Sequence, residues 1–183
     1  PAVEPSQGKV LLEALESIPR QYDVAQAMGI EVPPVFEIIL PMTTNAAEIR
    51  RISAYYRKFV TGKAKQTILD GEATTIEDWV GDFAPASINV IPLVEDKDSL
   101  LAAGKIAQDI IGAEKPESLR VFLARSDPAL NYGSAAAILY NKIALEKLYE
   151  AQEKTSVPIY PIIGVGSAPF RGNLRPSNPS NCL

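Results

Sequence analysis

The sequence predicts an α/β protein built on a parallel sheet, and two features of the chain support this fold class. Four short apolar runs alternate with stretches of helical periodicity, so strands and helices follow each other along the chain. Each run is almost continuously apolar, which is typical of strands buried on both faces of a parallel sheet. Four strand–helix units are about half of a (β/α)8 barrel, and we expect part of a TIM-type barrel with additional helices. An open four-stranded sheet is the alternative.

The predicted strands lie within a single partial domain. Residues 1–34 form an N-terminal helical segment, residues 35–172 hold the four strand–helix units, and residues 173–183 form a loop. The strands are predicted at Val35–Pro41, Ile88–Val94, Leu119–Ala124 and Val157–Ile163. Proline inside two of these runs is unusual, because proline cannot donate a hydrogen bond to a strand ladder.

The N-terminal segment contains two predicted helices. Residues 1–8 have the composition of a loop, and apolar residues at helical spacing then predict an amphipathic helix over Lys9–Arg20. A second short helix is predicted over Tyr22–Met28, and Gly29 should end it.

Two further helices are predicted between the first and second strands. The longer one covers Ala46–Val60, and Asn45 or Thr44 can cap its start. Its apolar face is predicted to consist of Ile49, Ile52, Tyr56 and Phe59. Thr75 and Asp78 have the spacing of a capping box, and the short helix that they open includes Trp79. We expect Trp79 to pack in the core or at an interface.

The remaining helices follow the second and third strands. Asp98 is predicted to cap a helix that runs to about Ile111, with Gly112 as its end. A long helix is predicted over Gly133–Lys154. Its apolar face is predicted to consist of Ile138, Leu145, Leu148 and Tyr149.

Composition narrows the classes of function. Among the 183 residues there is no histidine, so acid–base chemistry must use other groups or residues outside this chain. A net charge of −4 argues against a nucleic-acid surface, and no apolar run approaches the ~20 residues of a membrane span. No signal-like stretch opens the chain, so we expect a cytoplasmic protein. Cys182 is the single cysteine and is expected to have no chemical role. The chain starts at Pro1 and ends without an obvious terminal element, so we expect a piece of a longer polypeptide.

Charged residues follow three of the predicted strands. Glu95 and Asp127 are each the first acid after an apolar run, and Arg171 follows the last run. Because parallel strands end at the same edge of a sheet, these side chains can meet there. Mg²⁺ or Mn²⁺ binds one or two protein carboxylates together with substrate oxygens and water. The alternative is that both acids only cap helices or lie in loops, as Asp96 and Asp98 can.

Two arginines could bind an anion near this predicted metal site. Arg125 lies two residues before Asp127, so both side chains can point the same way from an extended segment. A structural ion pair is the alternative role for Arg125. The glycine-rich turn after the last strand includes Gly164, Gly166, Ser167, Arg171 and Gly172. Glycines let the backbone approach an anion, and arginine binds carboxylate or phosphate through two hydrogen bonds. Such turns without a bound ligand are also common.

Four segments of the chain resemble the archaeal type of phosphoenolpyruvate carboxylase, which is also found in some bacteria. They are Glu37–Thr44, Ile91–Asp96, Phe122–Gly133 and Ile163–Gly172, in the order of that family. The resemblance implies a TIM-type barrel embedded in many helices, usually in a homotetramer. It also implies a reaction of phosphoenolpyruvate with bicarbonate that gives oxaloacetate and phosphate and needs Mg²⁺ or Mn²⁺.

The resemblance also implies roles for individual residues. Glu95 and Asp127 match the metal ligands of the family, and Arg171 matches an arginine of the loop that holds the carboxyphosphate and enolate intermediates. Val165 stands where larger members have the first arginine of that loop, and we hypothesise that Arg125, with Ser126 beside it, supplies this contact. The family uses a histidine from a Thr-x-His-Pro-like segment, and this chain has none. We therefore expect the isolated 183 residues to lack carboxylase activity.

Two other functions remain open at this point. One is another magnesium-dependent barrel lyase or aldolase that acts through a pyruvate enolate. The other is a non-catalytic fragment whose helices pack on partner subunits. A carboxylase needs bicarbonate, whereas the other lyase or aldolase does not. Both enzymes need metal binding by Glu95 and Asp127, whereas a non-catalytic fragment does not.

Overall fold

The structure is a computed structural model that describes residues 5–166 and residue 177. Within this part of the chain the helices are α1 (Pro5–Glu16), α2 (Ile18–Ala27), α3 (Ala46–Tyr55), α4 (Ile76–Val80), α5 (Lys97–Leu101), α6 (Ala103–Glu114), α7 (Ser126–Tyr132) and α8 (Ser134–Thr155). The strands are β1 (Glu37–Leu40), β2 (Asn89–Val94), β3 (Leu119–Ala124) and β4 (Ile159–Gly164). None of the described helices is long and apolar enough to cross a membrane.

All four predicted strands are present and form one sheet, in the order β1-β2-β3-β4. Strand β3 runs parallel to both β2 and β4, as the apolar runs predicted. The expected burial on both faces is wrong for β4, in which Tyr160 is 57% exposed. In the register, Val94 pairs with Leu123 and Ala124 pairs with Gly164. The carboxyl ends of β2, β3 and β4 therefore lie side by side, and the residues that follow these strands start from one edge of the sheet.

The chain divides into two compact units, of which the first comprises residues 39–50 and residues from 91 onward. Its core includes the fully buried side chains of Val94, Leu100 and Leu123. Helices α6 and α8 pack so closely at Gly104 that a Cβ atom there would lie 2.4 Å from the Lys147 carbonyl oxygen. The buried positions of α8 are accordingly small or polar with one exception, and they are Ala137, Asn141, Ala144, Leu148 and Ala151.

The second unit comprises residues 2–38 and 51–90. Its most buried large side chain is Tyr56, whose hydroxyl donates to the Pro85 carbonyl oxygen at 2.9 Å. Burial raises the pKa of Tyr56 to about 12. A hydrogen bond from the Tyr55 hydroxyl to Glu16 ties α3 to the end of α1.

A π-helical turn over Tyr56–Val60 continues α3 and changes which residues face the core. The Thr61 N–H donates to the Tyr56 carbonyl oxygen, five residues back, so this turn contains one residue more than an α-helical turn. Val60 is therefore fully buried, whereas Phe59 is 60% exposed. The prediction that Phe59 belongs to the buried face is wrong for this reason, although Ile49, Ile52 and Tyr56 are buried as predicted.

Several predicted helix bounds are also wrong. Helix α1 begins at Pro5, inside the predicted loop, because proline is compatible with a first helical turn. The predicted helix over Lys9–Arg20 is interrupted at Ser17. Gly112 lies inside α6, which ends after Glu114, where Lys115 adopts a left-handed conformation.

Of the two helix caps predicted for α4 and α5, one is present in the structure. Thr75 and Asp78 form the predicted capping box of α4. Trp79 is 69% exposed, so it does not pack in the core, and its predicted alternative place at an interface stays a prediction. Asp96, not Asp98, caps α5, because the Asp96 side chain accepts a hydrogen bond from the Ser99 N–H at 2.9 Å.

The predicted apolar face of α8 is wrong at two positions. Ile138 and Tyr149 are exposed, whereas Leu148 is buried as predicted. The close approach of α6 favours small residues on the buried side of α8, so its large apolar residues do not mark that side. Helix α7 was not predicted, because it is only 7 residues long and contains Pro128.

Candidate metal and anion site

The turn after β1 presents a backbone donor to the predicted metal ligand Glu95. Thr43 is fully buried; its N–H donates to the Leu93 carbonyl oxygen at 2.9 Å, and its hydroxyl donates to the Leu40 carbonyl oxygen at 2.8 Å. These bonds fix the turn. Met42, which precedes Thr43, has a φ of 54° and donates its N–H to Glu95 Oε1 at 2.9 Å. A left-handed conformation is unfavourable for methionine, so the turn holds local strain beside an acidic group.

Glu95 and Asp127 meet at the edge of the sheet where β2 and β3 end. Their side chains lie close enough for Asp127 to change the pKa of Glu95. The pKa of Glu95 is raised, first by burial, then by the hydrogen bond to Asp127 and by the negative charge of Asp127, while the Met42 N–H acts in the opposite direction. Glu95 is partly buried and Asp127 is exposed, so solvent ions can reach the pair. The structure thus brings together the two residues that the sequence analysis proposed as metal ligands.

The neighbouring acid Asp96 has a different role. Burial would raise the pKa of Asp96, but hydrogen bonds from Ser99 and from nearby backbone N–H groups outweigh it, and the pKa is lowered. Asp96 therefore serves as a helix cap, whereas the Glu95 side chain bonds to Met42 and Asp127. Asp127 lies in the first turn of α7, so it also favours the start of that short helix.

Arg125 is buried at the end of β3, with 7% of its surface exposed. Its backbone N–H donates to the Gly164 carbonyl oxygen at 3.0 Å, which ties the residue to the end of β4. Its Nε atom is buried and has no hydrogen-bond partner among the residues that the structure describes. A buried guanidinium N–H without a partner is unfavourable, and an anionic ligand is one way to satisfy it. Ser126 follows as the first residue of α7.

The glycine-rich turn is described only at its start. Gly164 ends β4, and a Cβ atom there would lie 2.2 Å from Cε1 of Phe122, so this position accepts no larger residue without rearrangement. Gly166 has a φ of 71°, which favours glycine. Ser167, Arg171 and Gly172, the other predicted site residues of this turn, lie outside the described residues.

The chain resembles known proteins along its whole length. A family model described as "Phosphoenolpyruvate carboxylase" matches residues 1–183. The chain belongs to the phosphoenolpyruvate carboxylase family. Relatives that carry the name phosphoenolpyruvate carboxylase include those of Halobacterium salinarum, 53% identical over 181 residues, and Methanothermobacter thermautotrophicus, 51% identical over 179 residues. A third, from Pyrococcus horikoshii, is 50% identical over 187 residues.

The match covers nearly all of this chain but only part of each relative. The aligned regions comprise 96%, 97% and 100% of the chain, respectively. They comprise 36%, 37% and 38% of the three relatives. The chain therefore spans somewhat more than a third of the length of these family members.

The carboxylate pair of this family member suits a divalent metal ion in part. Two carboxylates supply hard oxygen ligands, and Mg²⁺ commonly completes its coordination with water and substrate oxygens. A cation would also remove the repulsion that raises the pKa of Glu95. Among the described residues there is no cluster of three or more acidic, histidine or cysteine side chains that could hold a metal alone. The two carboxylates thus fit a metal ion whose remaining ligands are water and substrate oxygens.

Two residues near the site were not predicted from the sequence. Met42 contributes a backbone N–H group, and no side-chain pattern in a sequence indicates such a contribution. Asn141 lies buried in the alanine-rich part of α8 and bonds to the end of β3. The sequence does hold one signal for Asn141, which is a polar residue among the alanines of a predicted helix.

Proposed function

We propose that this chain provides the metal-binding part of an enzyme that joins phosphoenolpyruvate and bicarbonate to give oxaloacetate and phosphate. The observation that carries the proposal is the Glu95–Asp127 pair at the ends of adjacent parallel strands. Membership of the phosphoenolpyruvate carboxylase family supports the same reaction. The activity belongs to the complete enzyme, because the chain spans only 36–38% of the length of the three relatives above.

We propose that the sheet is part of a TIM-type barrel. The four strands follow each other in the sheet in the order of the sequence, which is the order of a (β/α)8 barrel. An open doubly wound sheet instead reverses its strand order at a switch point. The charged residues follow the carboxyl ends of the strands, where such barrels have their active sites.

In the proposed mechanism, Glu95 and Asp127 would hold Mg²⁺ or Mn²⁺ at the edge of the sheet. When bound there, the divalent ion would supply positive charge that favours a developing enolate. The Met42 N–H donates to Oε1 of Glu95 and leaves the second carboxylate oxygen without this contact. This bond reduces the reorganisation that metal binding requires of Glu95.

The buried guanidinium of Arg125 is proposed to bind the carboxylate or phosphate of the substrate. Burial strengthens such a charge-assisted hydrogen bond, and the planar guanidinium can donate two parallel bonds. Arg171 and the glycine-rich turn, with Gly164, Gly166, Ser167 and Gly172, are proposed to hold the carboxyphosphate and enolate intermediates. Ser126 is proposed to contact the substrate from the start of α7.

The steps that need an additional acid or base depend on groups outside this chain. Bicarbonate attacks phosphorus, the bond from phosphorus to the enolate oxygen breaks, and carboxyphosphate forms. Carboxyphosphate then breaks its C–O bond to give CO2 and phosphate, which leaves with the bicarbonate proton, and the enolate carbon bonds to the CO2 carbon to give oxaloacetate. The chain contains no histidine to assist this transfer. We therefore propose that the isolated 183 residues are inactive. We also propose that the complete enzyme is a homotetramer, as the family resemblance implies, and that it is cytoplasmic.

The test measures oxaloacetate formation by the intact enzyme from phosphoenolpyruvate, with bicarbonate and Mg²⁺ varied in turn. We expect Glu95→Gln and Asp127→Asn to reduce metal-activated turnover by roughly 100-fold or more. Asp98→Asn is the matched control, because Asp98 is an exposed acid of α5 and should have little effect. Metal-dependent turnover without bicarbonate would instead indicate another enolate-forming lyase. Unchanged metal binding in both variants would favour a non-catalytic role.

A further inference from the structure

Asn141 of α8 is a buried amide that holds the end of β3. Only 5% of its surface is exposed. Its Nδ2 group donates to the Ala124 carbonyl oxygen at 3.0 Å and to the Ala137 carbonyl oxygen at 2.9 Å. Ala124 is the last residue of β3, so this side chain connects the middle of α8 to the point where the strand ends.

The chain at this point is fixed from two sides. Asn141 binds the Ala124 carbonyl from the α8 side, and the Arg125 N–H donates to the Gly164 carbonyl oxygen on the β4 side. The next residues are Arg125 and, two further on, Asp127. Both bonds act on the same peptide group, because the Ala124 carbonyl and the Arg125 N–H belong to the bond that joins these two residues. The direction in which both side chains leave the sheet thus depends on this one peptide group.

The Asn141 side chain is not optimal for stability alone. Its Oδ1 atom is buried and has no hydrogen-bond partner within the described part of the chain. A buried acceptor without a partner is unfavourable, so Asn141 stabilises the fold less than a fully paired amide would. Residues that reduce stability in this way are often retained where a functional site needs a defined geometry.

We propose that Asn141 is a positioning residue that sets the geometry of Arg125 and Asp127 through the Ala124 carbonyl. This inference deepens the proposed function and rests on it, because it assigns Asp127 to a metal ion and Arg125 to the substrate anion. Asn141 itself touches neither the metal nor the substrate. Without the hydrogen bond from Asn141, the end of β3 is held only by the bond from Arg125 to Gly164. The side chains of Arg125 and Asp127 then lose their defined direction.

The test compares Asn141→Leu and Asn141→Ala with the unmodified intact enzyme. Binding of Mn²⁺ alone is measured by electron paramagnetic resonance, and KM for phosphoenolpyruvate and kcat are measured separately. We expect Kd for Mn²⁺ and KM to rise about tenfold in both variants, while the melting temperature stays within a few degrees. A purely structural role would lower the melting temperature and leave the Mn²⁺ affinity of the folded enzyme unchanged.

Gln152→Leu is the matched control. Gln152 is another amide of α8 that bonds to a strand, since its Oε1 accepts from the Ile159 N–H at 2.8 Å, at the opposite end of the sheet. We expect this variant to lose stability but to keep its Mn²⁺ affinity and KM.

Three results would overturn the role of Asn141. These are unchanged Mn²⁺ affinity and KM in both Asn141 variants, equal losses in Gln152→Leu, and failure of both Asn141 variants to fold. If the unmodified enzyme binds Mn²⁺ but does not carboxylate phosphoenolpyruvate, the proposed function fails. The Mn²⁺ measurement still tests Asn141 in that case.

Discussion

The carboxyl groups of Glu95 and Asp127 lie within hydrogen-bonding reach of each other where β2 and β3 end. Two acids in contact are unfavourable when both are ionised, and burial of Glu95 adds to the cost. The folded state therefore holds a proton on Glu95 more tightly than the unfolded chain does. The pair contributes most stability below the ordinary pKa of a glutamate, and that contribution is lost as pH rises through the raised pKa of Glu95.

Glu95→Gln should therefore stabilise the metal-free intact protein at neutral pH. We expect a gain of about 0.5 kcal/mol, since solvent screens part of the repulsion. Urea unfolding in the presence of a chelator measures it. The same variant should lose the stabilisation that Mn²⁺ gives the unmodified protein, because ligands that bind the native state raise its stability. A loss of stability at neutral pH without metal would contradict repulsion within the pair.

Arg125→Ala should raise the phosphoenolpyruvate requirement of the intact enzyme. Loss of a buried, charge-assisted contact costs about 1.5–3 kcal/mol, which corresponds to a rise in KM of roughly 10- to 100-fold. Arg125→Lys should restore the affinity only in part, because lysine cannot donate two parallel hydrogen bonds in a plane. Steady-state kinetics at saturating bicarbonate and Mg²⁺ provide the measurement. An unchanged KM in Arg125→Ala would exclude Arg125 as the substrate arginine.

Met42→Gly should stabilise the intact protein, because glycine adopts the observed φ of 54° without steric strain. The left-handed conformation costs a methionine about 1–2 kcal/mol, and the greater freedom of glycine in the unfolded chain offsets part of the gain. We expect a net gain of about 0.5 kcal/mol in urea unfolding. Met42→Ala is the control; it keeps the strain and the N–H donor, so it should show no gain. Equal effects of both variants would indicate that the Met42 side chain, and not its conformation, decides the result.

The strands and their terminal acids could be predicted from the sequence because their signals are local. A parallel strand buried on both faces is apolar throughout, and the first acid after it marks the sheet edge. Leu119–Ala124 has the predicted bounds, and Glu95 and Asp127 lie together as parallel pairing implies. The Met42 N–H and the Asn141 amide were missed because their contributions depend on contacts between distant elements.

Helix faces were less predictable, since they depend on geometry that spacing does not report. On α8, the approach of α6 at Gly104 favours alanines on the buried side, so Ile138 and Tyr149 point elsewhere. After α3, the π-helical turn moves the buried position from Phe59 to Val60. A periodicity of 3.6 residues predicts neither outcome.

Gly104→Ala and Gly112→Ala form a matched pair within α6. The added Cβ of Gly104→Ala would lie 2.4 Å from the Lys147 carbonyl oxygen, so α6 and α8 must move apart. We expect a loss of about 2 kcal/mol from overpacking. At Gly112 nothing lies within 4 Å of the added Cβ, and alanine should stabilise the helix by about 0.5–1 kcal/mol. Urea unfolding of the intact protein measures both, and changes of the same sign would contradict the close packing of α6 on α8.

Val60→Ala and Phe59→Ala test the register of the π-helical turn. Val60 is fully buried, so its truncation leaves a cavity and should cost about 2 kcal/mol. Phe59 is 60% exposed and contacts the Tyr55 ring at a centroid distance of 5.3 Å, so its truncation should cost only about 0.5 kcal/mol. The structure predicts the larger loss of stability for Val60→Ala. An uninterrupted α-helix would bury Phe59 and would give the larger loss for Phe59→Ala. Comparison of the two variants by urea unfolding separates a five-residue turn from a regular helix without any measurement of activity.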